Sequence, residues 1–250
     1  LGLASAAAVG PAMKRRSLSI MGDGGFWHNG LATGVAGAVF NETDGVLVIM
    51  NNGYSSATGQ QFIPSTGKNF RRQPTGMTIR KALEGVGVKW QRTVTTYRIG
   101  QMVETLKEAL TTKERGLKVI IAESECQLAR QRRIKPLIRE ALKKGERVVR
   151  TRFGVDEDIC TGDHSCIRLS GCPSLGVKPN PDKLKVDPIA HVNQTCVGCG
   201  VCGEVAHAAV LCPSFYKADI VQNPGYWDRF IYRLRRRVIG YLAGRRRVAA

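Results

Sequence analysis

Gly45-Val46-Leu47-Val48-Ile49-Met50-Asn51-Asn52-Gly53 is an unbroken apolar run closed by turn-forming residues. A run this short, with no polar alternation, predicts a strand buried on both faces. Its neighbours repeat the theme. Ser17–Met21 reads as a short strand entering a tight turn at Gly22-Asp23-Gly24-Gly25, followed by a Gly- and Ala-rich helix over His28–Phe40. A polar loop containing Gly and Pro runs to about Gly76. Then come a helix at Met77–Leu83, a strand at Thr93–Tyr97, a helix at Gln101–Lys113 and a second buried strand at Leu117–Ala122. Strands alternating with helices predict a parallel sheet in an α/β domain.

The bulk numbers suit a globular protein. Of 250 residues, 43% are apolar and 23% charged, enough for one or two domains with a sizeable core. No run approaches the roughly 20 apolar residues of a membrane span. The start, Leu1-Gly2-Leu3-Ala4-Ser5-Ala6-Ala7-Ala8, has no initiator Met, and its basic residues (Lys14, Arg15, Arg16) follow the apolar stretch instead of preceding it. It reads as a small-residue helix within a longer protein, not as a secretory signal. The net charge of +18 favours an acidic partner without choosing among nucleic acid, anionic lipid and protein. Charge alone supports a nucleic-acid binder, so none is expected.

Asp23 lies at the end of one strand and Asn51-Asn52 at the end of the next. A carboxylate and a side-chain amide supply hard oxygens for Mg²⁺. Gly22 and Gly24 allow close backbone approach to phosphate, and the following helix offers free N–H groups. In parallel sheets such ligands converge at the carboxyl ends of strands.

Gly-Asp-Gly, 26 residues, then Asn-Asn resembles the thiamine diphosphate motif. Phe26-Trp27-His28-Asn29-Gly30 and Thr58-Gly59-Gln60-Gln61 resemble the 2-oxoacid:ferredoxin oxidoreductases, above all those of the indolepyruvate type. The resemblance covers about residues 1–220. It implies that Asp23, Asn52 and the carbonyl of Tyr54 hold Mg²⁺, with Asn51 the alternative if the register is one residue off. It places His28, Thr58 and Gly59 near the cofactor, His28 being a possible catalytic residue. It further implies a 2-oxo acid substrate, an aryl pyruvate such as indolepyruvate, with coenzyme A and ferredoxin as partners and an oligomeric assembly. The Glu that activates the cofactor has no candidate here and is expected upstream or on a partner subunit, so the fragment alone should not turn over.

Seven of the eight Cys fall between 160 and 212. Cys196-x2-Cys199-x2-Cys202 with Cys212-Pro213, and Cys160, Cys166 and Cys172-Pro173, have the spacing and Cys-Pro endings of a two-cluster ferredoxin. Its crossover rule assigns Cys172, Cys196, Cys199 and Cys202 to one [4Fe–4S] cluster. Cys160, Cys166 and Cys212 go to the other, with Asp163 standing where a fourth Cys is expected. A carboxylate is a poorer partner for cluster iron than a thiolate, so this cluster is expected to be labile or [3Fe–4S]. Nine residues separate Cys202 from Cys212 where the ferredoxin pattern has three, which puts Cys212 in question. Zinc, the rival, needs separate four-ligand sets. Cys126 reads as a small buried residue, and His164, His191 and His207 as non-ligands. Thiolate-held iron survives best in a reducing cytoplasm.

The expected organisation is therefore an α/β thiamine diphosphate domain over 1–150, with a basic connector from 127. A small α+β ferredoxin-like domain with two clusters follows over 151–218, then a basic amphipathic tail over 219–250. The rival function is an iron–sulfur electron-transfer module on a non-catalytic thiamine fold.

Overall fold

The computed structural model describes residues 2–248; Leu1, the first of the small-residue stretch, lies outside them. The chain divides into two compact units at Arg132/Arg133.

In the first unit four strands, β1 (Leu18–Gly22), β2 (Val46–Asn51), β3 (Trp90–Thr95) and β4 (Lys118–Glu123), form one sheet in the order β1-β2-β4-β3. All its pairings are parallel. The two central strands, β2 and β4, carry the two continuous apolar runs, and alternate residues serve opposite faces. Leu47, Ile49, Val119 and Ile121 face one core, with Leu3 of helix α1 (Leu3–Met13), Phe26, and Ile79 and Leu83 of helix α4 (Ile79–Gly85). Val46, Val48, Ile120 and Ala122 face the other, with Trp90, Val94 and Ala109 of helix α5 (Ile99–Thr111). Burial on both sides explains why neither strand alternates with polar residues.

Gly22–Gly25 do not form the expected turn. Gly22 stays extended and the chain enters a helix at once: α2 (Asp23–Gly25), a π-helical stretch over Phe26–Val35, then α3 (Ala36–Phe40). The Gly-rich sequence here tolerates the wider winding, which is rare and found mostly at functional sites.

The amino ends of the strands are braced by one cationic network. Arg16 bonds both Asp44 oxygens, at 3.0 and 3.1 Å, and donates to the carbonyls of Ala109, Leu110 and Glu114 at the end of α5. Asp44 also receives the ammonium of Lys118, the fully buried first residue of β4. Burial pushes the Asp44 carboxyl up, but Lys118 and Arg16 outweigh it and hold the group below its ordinary 3.8.

The segment read as a basic connector is helix α6 (Gln127–Lys143), and the next strand, β5 (Val148–Val155), already belongs to the second unit. That unit runs strand–helix–strand–strand–helix–strand: β5, α7 (Ser165–Ser170), β6 (Leu175–Lys178), β7 (Ile189–Val192), α8 (Val201–Val210) and β8 (Phe215–Gln222). β5 pairs antiparallel with β8, and β6 with β7. Helices α7 and α8 pack together. Helix α9 (Tyr226–Val248) follows. Among the described residues no helix is long and apolar enough to cross a membrane.

Candidate functional sites

Asp23 opens a helix at the carboxyl end of β1 and is 1% exposed. One carboxylate oxygen accepts the N–H of Gly24 at 2.9 Å. The other accepts those of Asn52 and Gly53, at 3.0 and 2.7 Å, from the turn that ends β2. Burial raises its pKa, partly opposed by the N–H groups of Gly53, Gly24 and Asn52. A carboxylate this buried without a cation beside it costs free energy when ionised.

The turn is built on Asn52. Its Oδ1 accepts the N–H of Tyr54 at 3.0 Å and the hydroxyl of Ser56 at 3.1 Å. The same hydroxyl lies 3.4 Å from the Tyr54 carbonyl and 3.3 Å from Cys126 Sγ. The sequence-assigned Mg²⁺ donors of Asn52 and Tyr54 therefore share one neighbour, Ser56. Asn51 turns to the adjacent strand, donating to Glu123 at 3.1 Å, while its buried Oδ1 has no partner. Gly24 sits close under this turn, and a Cβ there would stand 2.8 Å from Ser55 Oγ. Hard oxygens on two adjacent strand ends and a side-chain-free approach fit a metal–diphosphate group.

Other sequence candidates stand apart. His28, on the π-helical stretch, is exposed. Thr58 and Gly59 lie exposed in the loop after the Asn52 turn, where the Thr58 hydroxyl bonds Gln61 at 3.0 Å. No hydrogen bond among the described residues joins them to Asp23 or Asn52. Cys126 and Ser56 escaped the sequence reading. Cys126 is buried, as expected, but it follows β4 at the same sheet end as Asp23 and Asn52, the signal that could have flagged it. Burial raises its thiol. The Ser56 hydroxyl and the N–H groups of Ala129 and Leu128 at the start of α6 more than offset this, so the net shift is downward.

In the second unit the two cysteine runs occupy matching positions. Cys166 and Cys202 are each the second residue of a helix, α7 and α8, whose preceding residue (His164, Gly200) is left-handed. Cys172 and Cys212 each follow a left-handed cap, Gly171 and Leu211. The long gap before Cys212 is taken up within the helix: α8 has 10 residues and α7 has 6. Four residues make about one turn, so Cys212 leaves its helix on the same side as Cys172 does, one turn further on.

These cysteines, all free thiols, line the core with Val155, Leu175, Ala190 and Ala206. Burial pushes the Cys202 thiol up to about 11, and Cys172, Cys199 and Cys196 are the thiols whose charge it feels. Burial also raises Cys166, which feels Cys160, Cys212 and Asp163. The two groupings are those the crossover rule names. Asp163 is exposed and its carboxylate receives the hydroxyl and N–H of Ser165, which hold its pKa down. Among the described residues no three His, Cys, Asp or Glu side chains approach as ligands of a single ion do. Left-handed Gly162 and Gly198 keep both loops close to the framework, a Cβ on Gly198 standing 2.4 Å from the Thr151 carbonyl.

Residues 1–122 match the profile of the thiamine pyrophosphate enzyme C-terminal TPP-binding domain. Over 192 residues, 77% of the chain, it is 31% identical to "Indolepyruvate oxidoreductase subunit IorA" of Pyrococcus abyssi, and 30% identical over the same length to that of Thermococcus kodakarensis. It is 28% identical to the Archaeoglobus fulgidus IorA over 81% of the chain. The chain spans 27–29% of the length of these relatives.

Proposed function

We propose, from the premise that this chain belongs to the 2-oxoacid:ferredoxin oxidoreductase family as a relative of the C-terminal, thiamine-diphosphate-binding part of its indolepyruvate oxidoreductase subunits, that it carries two redox cofactors of one enzyme. The first unit holds Mg²⁺–thiamine diphosphate, and the second holds two iron–sulfur clusters in a ferredoxin-like fold. The reaction is the oxidative decarboxylation of a 2-oxo acid to an acyl-CoA, with electrons passed to ferredoxin. Indolepyruvate or another aryl pyruvate is the substrate, after the relatives' name. Upstream domains or a partner subunit complete the active site.

One observation carries the reading: the buried Asp23 carboxylate at the end of β1 meets the Asn52 turn at the end of β2. Asp23, Asn52 Oδ1 and the Tyr54 carbonyl would hold Mg²⁺, and the residues around Gly24 would take the diphosphate. Thiamine diphosphate, when bound, supplies the nucleophilic carbon and electron sink for decarboxylating a 2-oxo acid. Asp23 provides the negative charge that offsets the cation, and Ser56 orients both Asn52 and Tyr54. The Cys-Pro endings of both runs and the two groupings around Cys166 and Cys202 support cubane clusters over zinc. With Asp163 engaged by Ser165, the Cys160–Cys166–Cys212 cluster has three thiolates and is the more easily lost.

The test is metal, sulfide and thiamine analysis of the full-length assembly purified without oxygen. The expected result is one thiamine diphosphate and about six to eight iron per chain, with thiamine lost in Asp23→Ala. Iron without thiamine would replace this reading with an electron-transfer module, and zinc in place of iron would overturn the cysteine assignment.

A further inference from the structure

We infer that helix α9 is a membrane-surface element that lays this protein on anionic lipid, a property beyond the proposed redox chemistry and independent of it. The helix spans 23 residues, Tyr226–Val248, roughly 35 Å at 1.5 Å per residue. Wound at 3.6 residues per turn, Trp227, Phe230, Ile231, Leu234, Val238 and Leu242 fall within an arc of roughly 120°. Each is between 44% and 71% exposed, so the described residues leave this stripe largely open. Tyr226, Trp227 and Phe230 stack edge to face, 6.0 Å apart, at its start. Arg229, Arg233, Arg235, Arg236 and Arg237 lie outside that arc, beside the exposed Tyr232 and Ile239.

The start of the helix is tied down. Arg147 pairs with Asp228 at 2.7 and 2.8 Å, and Asn223 bonds the carbonyls of Leu142 and Glu146 at 3.3 and 3.1 Å. Beyond that anchor the stripe projects as a preformed apolar face.

The charge pattern decides the occupant. Asp228 is the only acid in the helix, and Arg147 already engages it. The polar face is therefore cationic from Arg229 to Arg237. A protein partner presents mixed charge in patches, whereas an anionic leaflet presents one sign throughout and an apolar boundary beneath it. The helix is too charged to cross a bilayer. An aromatic-rich stripe with flanking Arg is the composition that lies in the interface plane.

The experiment is flotation of the full-length protein, with any subunit that co-purifies, on vesicles of phosphatidylcholine alone or mixed with phosphatidylglycerol. Binding is expected to the anionic vesicles only, and to weaken at high salt. Arg235→Gln and Arg236→Gln should each weaken it roughly fivefold. The triple variant Trp227→Ala/Phe230→Ala/Leu234→Ala should abolish it while leaving iron content unchanged, since all three side chains are exposed. No flotation of the intact assembly would overturn the inference. So would equal flotation of the triple variant, which would mean adsorption by charge alone. Strong protection of α9 from hydrogen exchange by a co-purifying subunit, without lipid, would assign the stripe to a protein instead.

Discussion

Gly198→Ala should disable the second unit far more than Gly171→Ala, and the structure says by how much. Both glycines are left-handed, with φ of +72° and +56°. A Cβ in that conformation costs about 1–2 kcal/mol. At Gly171 nothing lies within 4 Å of the added atom, so this strain is the whole penalty. At Gly198 the Cβ would stand 2.4 Å from the Thr151 carbonyl oxygen, a backbone atom of β5 that cannot swing aside. To reach even 3.0 Å, below which real Cβ contacts essentially never fall, the loop between Cys196 and Cys199 must retreat by at least 0.6 Å. Overpacking of this kind adds about 1–3 kcal/mol, so the two variants should differ by about 2 kcal/mol. The retreat also moves two proposed cluster ligands. Chemically reconstituted Gly171→Ala should therefore keep its iron and sulfide, while Gly198→Ala should lose about half, the share held by the Cys172–Cys196–Cys199–Cys202 set. Full iron in Gly198→Ala, with urea stability equal to that of Gly171→Ala, would refute both the close approach and the ligand assignment.

Asp44→Asn should cost about 3 kcal/mol, because it strands the buried Lys118 ammonium; the value sits at the low end since solvent reaches Asp44. The double variant with Lys118→Met should recover most of that in urea denaturation. Because the folded Asp44 pKa lies below its ordinary 3.8, its contribution is present above that value and lost as pH falls through the folded one. Wild type and Asp44→Asn should therefore converge in acid. Ile49→Ala, on the fully buried face of β2, should cost about 2–5 kcal/mol in the same assay. Asp163→Cys should make the Cys160–Cys166–Cys212 cluster more resistant to oxygen; identical decay of the paramagnetic signal in both proteins would remove position 163 from the ligand set.

The parallel sheet was legible because β2 and β4 are apolar without alternation, a pattern that only burial on both faces produces. The Asp23 and Asn52 pairing followed from their places at adjacent strand ends. The start of the helix at Asp23 was hidden, since Gly22-Asp23-Gly24-Gly25 has the composition of a turn and tertiary packing overrides that preference. The helix at Gln127–Lys143 was masked by its charge, which reads as linker. Ser56 lay in a polar loop and Cys126 seventy positions away, so their contact exists only once β2 and β4 are neighbours. The spacing before Cys212 looked like a departure in sequence. Against the other run it is longer by one helical turn, a length the chain does not mark except through the cap at Leu211.

The pairing of β5 with β8 has a consequence for how the protein is made. These strands bracket the cysteine-bearing part of the second unit, and Val155 meets Phe215 across the whole intervening chain. Closing so long a loop carries an entropic cost that no local contact repays early. All seven cysteines of the unit precede in the chain the strand that pairs with β5. Any proposed cluster assembly in the closed unit then waits on residues 215–222. A released chain truncated before them would leave its thiols without that closure and open to oxidation.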